Sequence, residues 1–289
     1  MWTGKPGPVT IVCLAIVVLW YAGAVMLNAP QLIDRYERRE ASWNAATLVR
    51  DAWTMKRPVL PAPHQVVVEL DKTVIRQRVT SPRSLVFHAW VTVSSTVVGF
   101  ALGSLLGILL AVGILHVRTL DRSLLPWIIA SQTVPILAIA PMIIVVLANL
   151  GLTGLLPKAI ISMYLCFFPV TIGMVKGLRS PDPLQLDLMR TYSASGPQVL
   201  AKLRWPASVP FLFTSLKVAI AISLVGAIVG ELPTGAQAGI GARLLAGSYY
   251  GQTVQIWAAL IMAAILGMTL VGVVGGAERL VLRRMGGRP

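Results

Sequence analysis

Six apolar stretches, each long enough to cross a bilayer, constrain the fold of this chain more than any other feature. They fall near residues 8–27, 85–115, 123–149, 155–176, 208–230 and 253–282. A helix needs about 20 mostly apolar residues to span the hydrocarbon core. The chain of 289 residues is 56% hydrophobic and only 12% charged, so it has more apolar surface than a soluble core can bury. The sequence predicts an all-α membrane protein with six transmembrane helices.

The distribution of charge predicts the orientation of these helices. The formal net charge is +14, but the basic residues lie between and after the apolar stretches without interleaved aromatic residues, which argues against a nucleic-acid partner. Cytoplasmic loops carry an excess of Lys and Arg. We therefore expect both termini to be cytoplasmic, together with the segment from His116 and the insert 180–210. The basic C-terminal residues are Arg279, Arg283, Arg284 and Arg288.

Residues 28–83 are an exception, because this predicted external segment holds ten Lys or Arg against six Asp or Glu. Arg35, Arg38 and Arg39 lie close to the first span, although long segments can translocate despite their charge. We predict an amphipathic helix from about Gln31 to Lys56 and an extended stretch from Leu60. The predicted divisions are a first span at 1–27, this external segment, and a transmembrane domain at 84–284. Residues 1–24 are either a retained helix, which the weak basic start favours, or a cleaved signal peptide.

The insert 180–210 is polar and basic and separates two apolar stretches. Asp182 before Pro183 predicts a helix start, and Gly196 before Pro197 predicts a second one. We therefore expect two short helices joined by a bend. Leu184, Leu188 and Tyr192 fall on one face of the first. Such a helix either docks in the groove of a partner or lies among the lipid headgroups.

The spacing of this insert resembles the E-A-A-x3-G-x9-I-x-L-P loop of type I ABC importer permeases. Asp187 stands at the glutamate, Leu188 and Met189 replace the two alanines, and Ser193 stands at the glycine. Later positions also match, some of them as in the nitrate, sulfonate and taurine branch. These are Ala194, Ser195, Leu203 and Pro206.

The resemblance covers about Leu60 to Arg284 and implies a type I (MetI-like) permease core with a cytoplasmic coupling-helix loop, in the bacterial cytoplasmic (inner) membrane. It implies two permease copies, identical or paralogous, ABC ATPase subunits that grip the loops, and an extracytoplasmic solute-binding protein. No P-loop motif is present in the sequence. We expect no cofactor in this chain, with ATP and Mg on the partner ATPase.

Two groups of residues are candidates for the translocation path. The third apolar stretch contains Gln132, Thr133, Pro135 and Pro141. Prolines and polar groups at membrane depth either line a pathway or kink a helix for packing. Lys217 and Glu231 border the fifth stretch, about 21 Å apart along a helix, and cannot pair with each other. Each is a structural ion-pair partner, a gate residue or a substrate contact, and Lys217 could instead extend to the interface.

The remaining features predict packing rather than chemistry. Ser95, Gly99, Gly103 and Gly107 recur every fourth position, which lets another helix approach closely. The Gly-rich stretch 233–252 predicts a re-entrant or external loop. Cys13 and Cys166 lie in apolar stretches, so neither a disulfide nor a metal site is expected. No catalytic constellation is apparent.

Taken together, these features predict the permease subunit of an ATP-driven importer for a small solute. The resemblance implies a sulfonate-, nitrate- or taurine-like anion, or a heterocycle such as a pyrimidine-type thiamine precursor. The alternative is an ion-coupled transporter or channel that works without an ATPase. That class needs carboxylates in the middle of its spans, and the sequence places none there.

Overall fold

The computed structural model describes residues 6–233 and 238–286; Lys5, Arg288 and residues 234–237 of the predicted loop lie outside the described residues. Within them, five helices are long and apolar enough to cross a bilayer: Gly7–Glu37, Leu85–His116, Leu155–Leu178, Gly196–Glu231 and Thr253–Arg284. The shorter helices Arg118–Ser131 and Ile136–Asn149 make a sixth crossing if they count as one bent span. The all-α membrane fold is thereby confirmed.

The chain divides into two compact units. One comprises Met1–His88 with Arg243–Met262, and the other comprises Ala89–Ala242 with Ala263–Pro289.

In the first unit, helix α1 (Pro6–Glu37) continues well past residue 27, where the sequence predicts its end. The single amphipathic helix expected from Gln31 to Lys56 is wrong. The chain turns at residues 38–44, with Glu40 in the left-handed region (φ 52°), and α2 spans Ala45–Thr54. Asn44 causes the break, because its Oδ1 accepts the Thr47 N–H at 2.8 Å and caps α2.

The prediction of an extended stretch from Leu60 is also wrong, because a helix begins at Pro63. Helix α3 spans Pro63–Leu70 and continues in a π-helical turn over Asp71–Ile75. Pro63 suits the first helical turn, where a backbone N–H has no intrahelical partner. The Gln65 side chain then accepts the Ala62 N–H at 3.0 Å, so the proline-rich sequence starts a helix.

A buried asparagine holds the connection between α2 and α3. The Asn28 amide donates to the carbonyl oxygens of Ala52 (3.2 Å) and Leu60 (2.9 Å). Its Oδ1 accepts the N–H groups of Val59 (2.7 Å) and Leu60 (3.2 Å). Asn28 has no exposed surface, and this one side chain satisfies four backbone groups that would otherwise lack partners.

The second unit is built around close contacts of α4 (Leu85–His116) and α7 (Leu155–Leu178). A Cβ atom on Gly99 would overlap Ser162, and one on Gly103 would overlap the Cys166 sulfur. One on Gly107 would lie 2.8 Å from the Phe167 carbonyl oxygen. The predicted close helix packing at this glycine stripe is confirmed, and Cys166 is part of it.

Small polar side chains connect three helices of this unit. The Ser162 hydroxyl donates to the Ser223 carbonyl (2.7 Å), and the Ser223 hydroxyl donates to the Thr96 carbonyl (3.0 Å). Ser223 belongs to α10 (Trp205–Glu231), which packs along α7. All three side chains are buried. Interhelical hydrogen bonds of this kind stabilise membrane helices because lipid offers no alternative partner.

The third apolar stretch is broken, as predicted at Pro135. Helices α5 (Arg118–Ser131) and α6 (Ile136–Asn149) meet at an angle of 99°. Pro135 has no N–H and disfavours helical backbone at the residue before it. Pro141 has no comparable effect, because it lies inside α6, which continues past it.

Candidate functional site

The polar insert 180–210 begins with a well-capped helix, α8 (Pro183–Thr191). Asp182 Oδ1 accepts the Leu184 N–H at 2.8 Å, and Pro183 takes the first helical position. The Gln185 side chain accepts the Asp182 N–H at 3.3 Å. The predicted helix start is confirmed, and reciprocal capping fixes the direction in which α8 leaves α7.

The end of α8 is a Schellman turn at the position where the importer loop has glycine. The Ser193 N–H donates to the Arg190 carbonyl (2.8 Å), and the Ala194 N–H donates to the Met189 carbonyl (3.0 Å). Ser193 itself is left-handed, with φ 51°. Glycine adopts this conformation at no steric cost, whereas an L side chain costs about 1–2 kcal/mol. The serine therefore preserves the shape of the loop with some backbone strain.

The second predicted helix start is confirmed, but the prediction of a separate second short helix is wrong. Helix α9 (Gly196–Val199) passes through a π-helical turn, Leu200–Arg204, directly into α10. The Trp205 N–H reaches back five residues to the Leu200 carbonyl. This wider turn accommodates Pro206, which has no N–H to donate.

The apolar face of α8 is uncovered. Leu184, Leu188 and Tyr192 are 77%, 56% and 77% exposed. Asp187 is also exposed, and its carboxylate pairs with the Arg190 guanidinium at 3.0 Å. Burial of a leucine side chain contributes roughly 1.5–3 kcal/mol, so this face favours contact with a partner or lipid. Of the other predicted loop residues, Ser193 and Ser195 are exposed and the rest are half-buried: Met189, Ala194, Leu203 and Pro206.

Two arginines that the sequence analysis missed hold the base of this loop. Arg204 donates to the Leu178 carbonyl at 3.0 Å, at the last turn of α7. Arg179 pairs with Asp121 of α5 at 2.9 Å. Basic side chains near helix C-termini satisfy carbonyl groups that lack intrahelical partners. In the sequence, Arg179 comes just after the apolar stretch 155–176 and Arg204 just before the stretch 208–230. These positions are the available signal.

Lys217 has a partner that the sequence analysis did not identify. Its Nζ lies 2.7 Å from the Glu278 carboxylate, on α12 (Thr253–Arg284). The two side chains are 35% and 17% exposed. A paired lysine needs no extension to the interface, so the structure favours the ion-pair interpretation of Lys217. Glu278 lies four residues before the end of the sixth apolar stretch (253–282), not in its middle.

Glu231 is fully buried and binds the start of α11 (Ile240–Tyr249). Its carboxylate accepts the Thr92 hydroxyl at 2.9 Å and the Gly241 N–H at 2.8 Å. The Thr92 hydroxyl oxygen accepts the Ile240 N–H at 2.9 Å. Gly239 has φ 127°, and a Cβ there would overlap the carboxyl group. Glu231 therefore fixes the chain after the fifth span, and the predicted loop 233–252 contains a helix.

The path candidates Gln132, Thr133 and Pro135 lie at the break between α5 and α6, whereas Pro141 lies inside α6. Gln132 is half-buried and donates to the Ser131 hydroxyl at 3.2 Å. The exposed Thr133 donates to the Ala130 carbonyl at 2.7 Å, and the Tyr164 hydroxyl donates to the Ser131 carbonyl. In the part of the chain that the structure describes, no ion pair or hydrogen bond connects Gln132 or Thr133 with Lys217 or Glu231.

The structure defines a multi-pass membrane protein with close helix packing and a capped, exposed amphipathic helix between two spans. The chain belongs to the family of binding-protein-dependent transport system inner membrane components, which matches residues 103–287. It is a type I ABC transporter permease, which confirms the resemblance seen in the loop.

Three relatives illustrate the family. A probable ABC transporter permease protein of Haemophilus influenzae is 29% identical over 218 residues, which are 75% of this chain and 86% of the relative. The formylaminopyrimidine transport permease ThiX of Halalkalibacterium halodurans is 28% identical, over 80% of this chain and 77% of ThiX. The riboflavin transport system permease RibX of Chloroflexus aurantiacus is 29% identical, over 68% and 71% of the two chains.

Proposed function

We propose that this chain is the permease subunit of an ATP-driven importer and that α8 is the surface on which an ABC ATPase docks. The uncovered apolar face of Leu184, Leu188 and Tyr192 carries this proposal. Capping at Asp182 and the turn at Ser193 define the two ends of this helix. An amphipathic helix with three apolar residues at one-turn spacing fits a groove in a folded partner.

Direct contacts connect α8 and its loop with the membrane helices, so a movement of α8 is transmitted to them. Arg204 connects the loop to the end of α7, and Arg179 connects the same end to α5. The loop continues without interruption into α10. Closure of two ATPase subunits around ATP and Mg would therefore move the ends of three spans together. A second permease copy, identical or paralogous, completes the pore in this proposal.

The proposed orientation puts both termini and α8 in the cytoplasm of a bacterial inner-membrane protein. The positive-inside distribution of the later segments supports it, since Arg122, Arg190 and Arg283 then lie on one side, while the basic segment 28–83 remains the exception. The segments before α4 and around α11 then face outward, where a solute-binding protein delivers the substrate.

We assign a heterocyclic solute as the substrate class. Two relatives that align with most of this chain are named for transport of formylaminopyrimidine and riboflavin, both nitrogen heterocycles, while a third with lower identity (25%) is named for aliphatic sulfonates. An anion such as a sulfonate is the competing class. Lys217, the basic candidate for binding it, is already paired with Glu278. The same pairing argues against an ion-coupled mechanism that would use a free Glu278 carboxylate.

The docking assignment is tested by copurification from native membranes. Leu188→Arg places a charge on the exposed apolar face, while Val117→Arg changes an exposed apolar residue at the turn between α4 and α5. We expect an ATPase subunit to copurify with the wild type and with Val117→Arg, and to be lost with Leu188→Arg. Retention with Leu188→Arg, or equal loss with both variants, would overturn the assignment.

A further inference from the structure

The basic external segment that departs from the positive-inside pattern forms a cleft in the first unit. The cleft lies between the end of α1 and α2, has a volume of about 570 Å³, and contains a single acidic residue, Asp51. Asp51 already accepts the Tyr36 hydroxyl at 2.6 Å. Four exposed basic side chains line the cleft: Arg35, Arg39, Lys56 and Arg57.

These four cations have no acidic partner within ion-pair distance among residues 6–233 and 238–286. Clustered like charges repel one another, and their repulsion is weak only where water screens it. A cluster of cations without acidic partners in its own unit is therefore suited to bind the acidic surface of another molecule. The cleft precedes the family match at residues 103–287.

The position of the cleft along α1 argues against lipid headgroups as its partner. The first apolar stretch ends near residue 27. Arg35 lies eight residues beyond that end on the same helix, which is about 12 Å at 1.5 Å per residue. The headgroup layer is only about 5–8 Å thick on each side.

We infer that this cleft, named here the α1–α2 basic cleft, is a docking site for an acidic lobe of the solute-binding protein. The inference rests on the proposed importer function and orientation. An acidic lobe supplies the carboxylates that the four cations lack, at a height above the bilayer that a soluble extracytoplasmic protein can reach. Complementary charges at the edge of an interface mainly accelerate association and fix the orientation of the partner.

The test uses the assembled transporter in nanodiscs of uncharged lipid. The cognate solute-binding protein is first identified by its stimulation of ATP hydrolysis by this assembly. Its dissociation constant is then measured for the wild type, for Arg35→Glu/Arg39→Glu, and for the matched control Arg78→Glu/Arg83→Glu. Arg78 and Arg83 are exposed arginines of the same unit outside the cleft. The neutral pair Arg35→Gln/Arg39→Gln serves if the reversed pair fails to assemble.

We expect the cleft variant to bind the solute-binding protein about tenfold more weakly, mainly through slower association, and the control to change by less than about twofold. Raising the salt concentration should weaken the wild type toward the level of the variant. Equal affinity of wild type and cleft variant would overturn the inference and leave the importer assignment intact. A difference that appears only in nanodiscs with phosphatidylglycerol would also overturn it, since lipid would then be the partner. If no solute-binding protein stimulates ATP hydrolysis, the importer assignment fails, and the docking site with it.

Discussion

Substitution of Gly103 by alanine isolates the cost of the close approach between α4 and α7. A Cβ at Gly103 overlaps the Cys166 sulfur and lies 2.9 Å from the Met163 carbonyl oxygen. Gly272 of α12 has nothing within 4 Å of the same added atom. Both substitutions gain the same helix propensity, about 1 kcal/mol. Only Gly103→Ala adds overpacking, which costs about 1–3 kcal/mol.

The difference between the two variants therefore measures the steric cost alone. We expect Gly103→Ala to unfold at a Tm lower than that of Gly272→Ala by roughly 2–12 °C, because about 1–3 kcal/mol of overpacking corresponds to about 2–4 °C per kcal/mol. Size-exclusion chromatography after heating in mild detergent measures this directly. Adding Cys166→Ala to Gly103→Ala removes the sulfur and should restore part of the loss, while the Met163 carbonyl contact remains. Equal Tm values for the two single variants would refute the packing argument.

The remaining predictions concern the ion pair, the α8 turn and the α2–α3 connection. Lys217→Met and Glu278→Gln should each lower the free energy of unfolding. The double variant should lose about 1–3 kcal/mol less than the sum of the two single losses, and additive losses would show that the pair is not coupled. Ser193→Gly should raise the free energy of unfolding by up to about 1 kcal/mol and keep ATPase copurification. Ser193→Val should lower both stability and copurification, because a β-branched side chain fits the left-handed turn poorly. Wild-type stability and copurification of Ser193→Val would contradict the left-handed turn. Asn28→Ala should lower the free energy of unfolding by about 2–4 kcal/mol and make the connection near Leu60 sensitive to limited proteolysis. Protection equal to that of the wild type would show that the Asn28 hydrogen bonds do not hold this connection.

Local signals in the sequence predicted the features that depend on neighbouring residues. Asp182 and Pro183 define the start of α8 because capping needs only residues within one turn. The stripe of Gly99, Gly103 and Gly107 likewise predicts close packing, because a helix surface without side chains lets a neighbouring helix approach closely. The spacing from Asp187 predicted the family, because the loop keeps its shape even with serine at the glycine position.

Features that depend on distant or competing contacts were not predictable in this way. Glu278 pairs with Lys217 across 61 residues of sequence, and no local pattern connects the two. The sequence around Pro63 predicts an extended stretch, although a proline fits a first helical turn equally well. The predicted helix Gln31–Lys56 includes Asn44, whereas in the structure Asn44 caps the start of α2.

The central claim is that the exposed face of α8 binds an ATPase rather than lipid. The most direct test replaces Leu188 with the photoreactive amino acid p-benzoylphenylalanine and irradiates intact cells, with Val117 replaced in the same way as the control. We expect position 188 to form an adduct with a polypeptide that contains a nucleotide-binding P-loop, and position 117 to form none. Adducts of Leu188 with lipid alone would contradict the account and identify α8 as an interfacial helix.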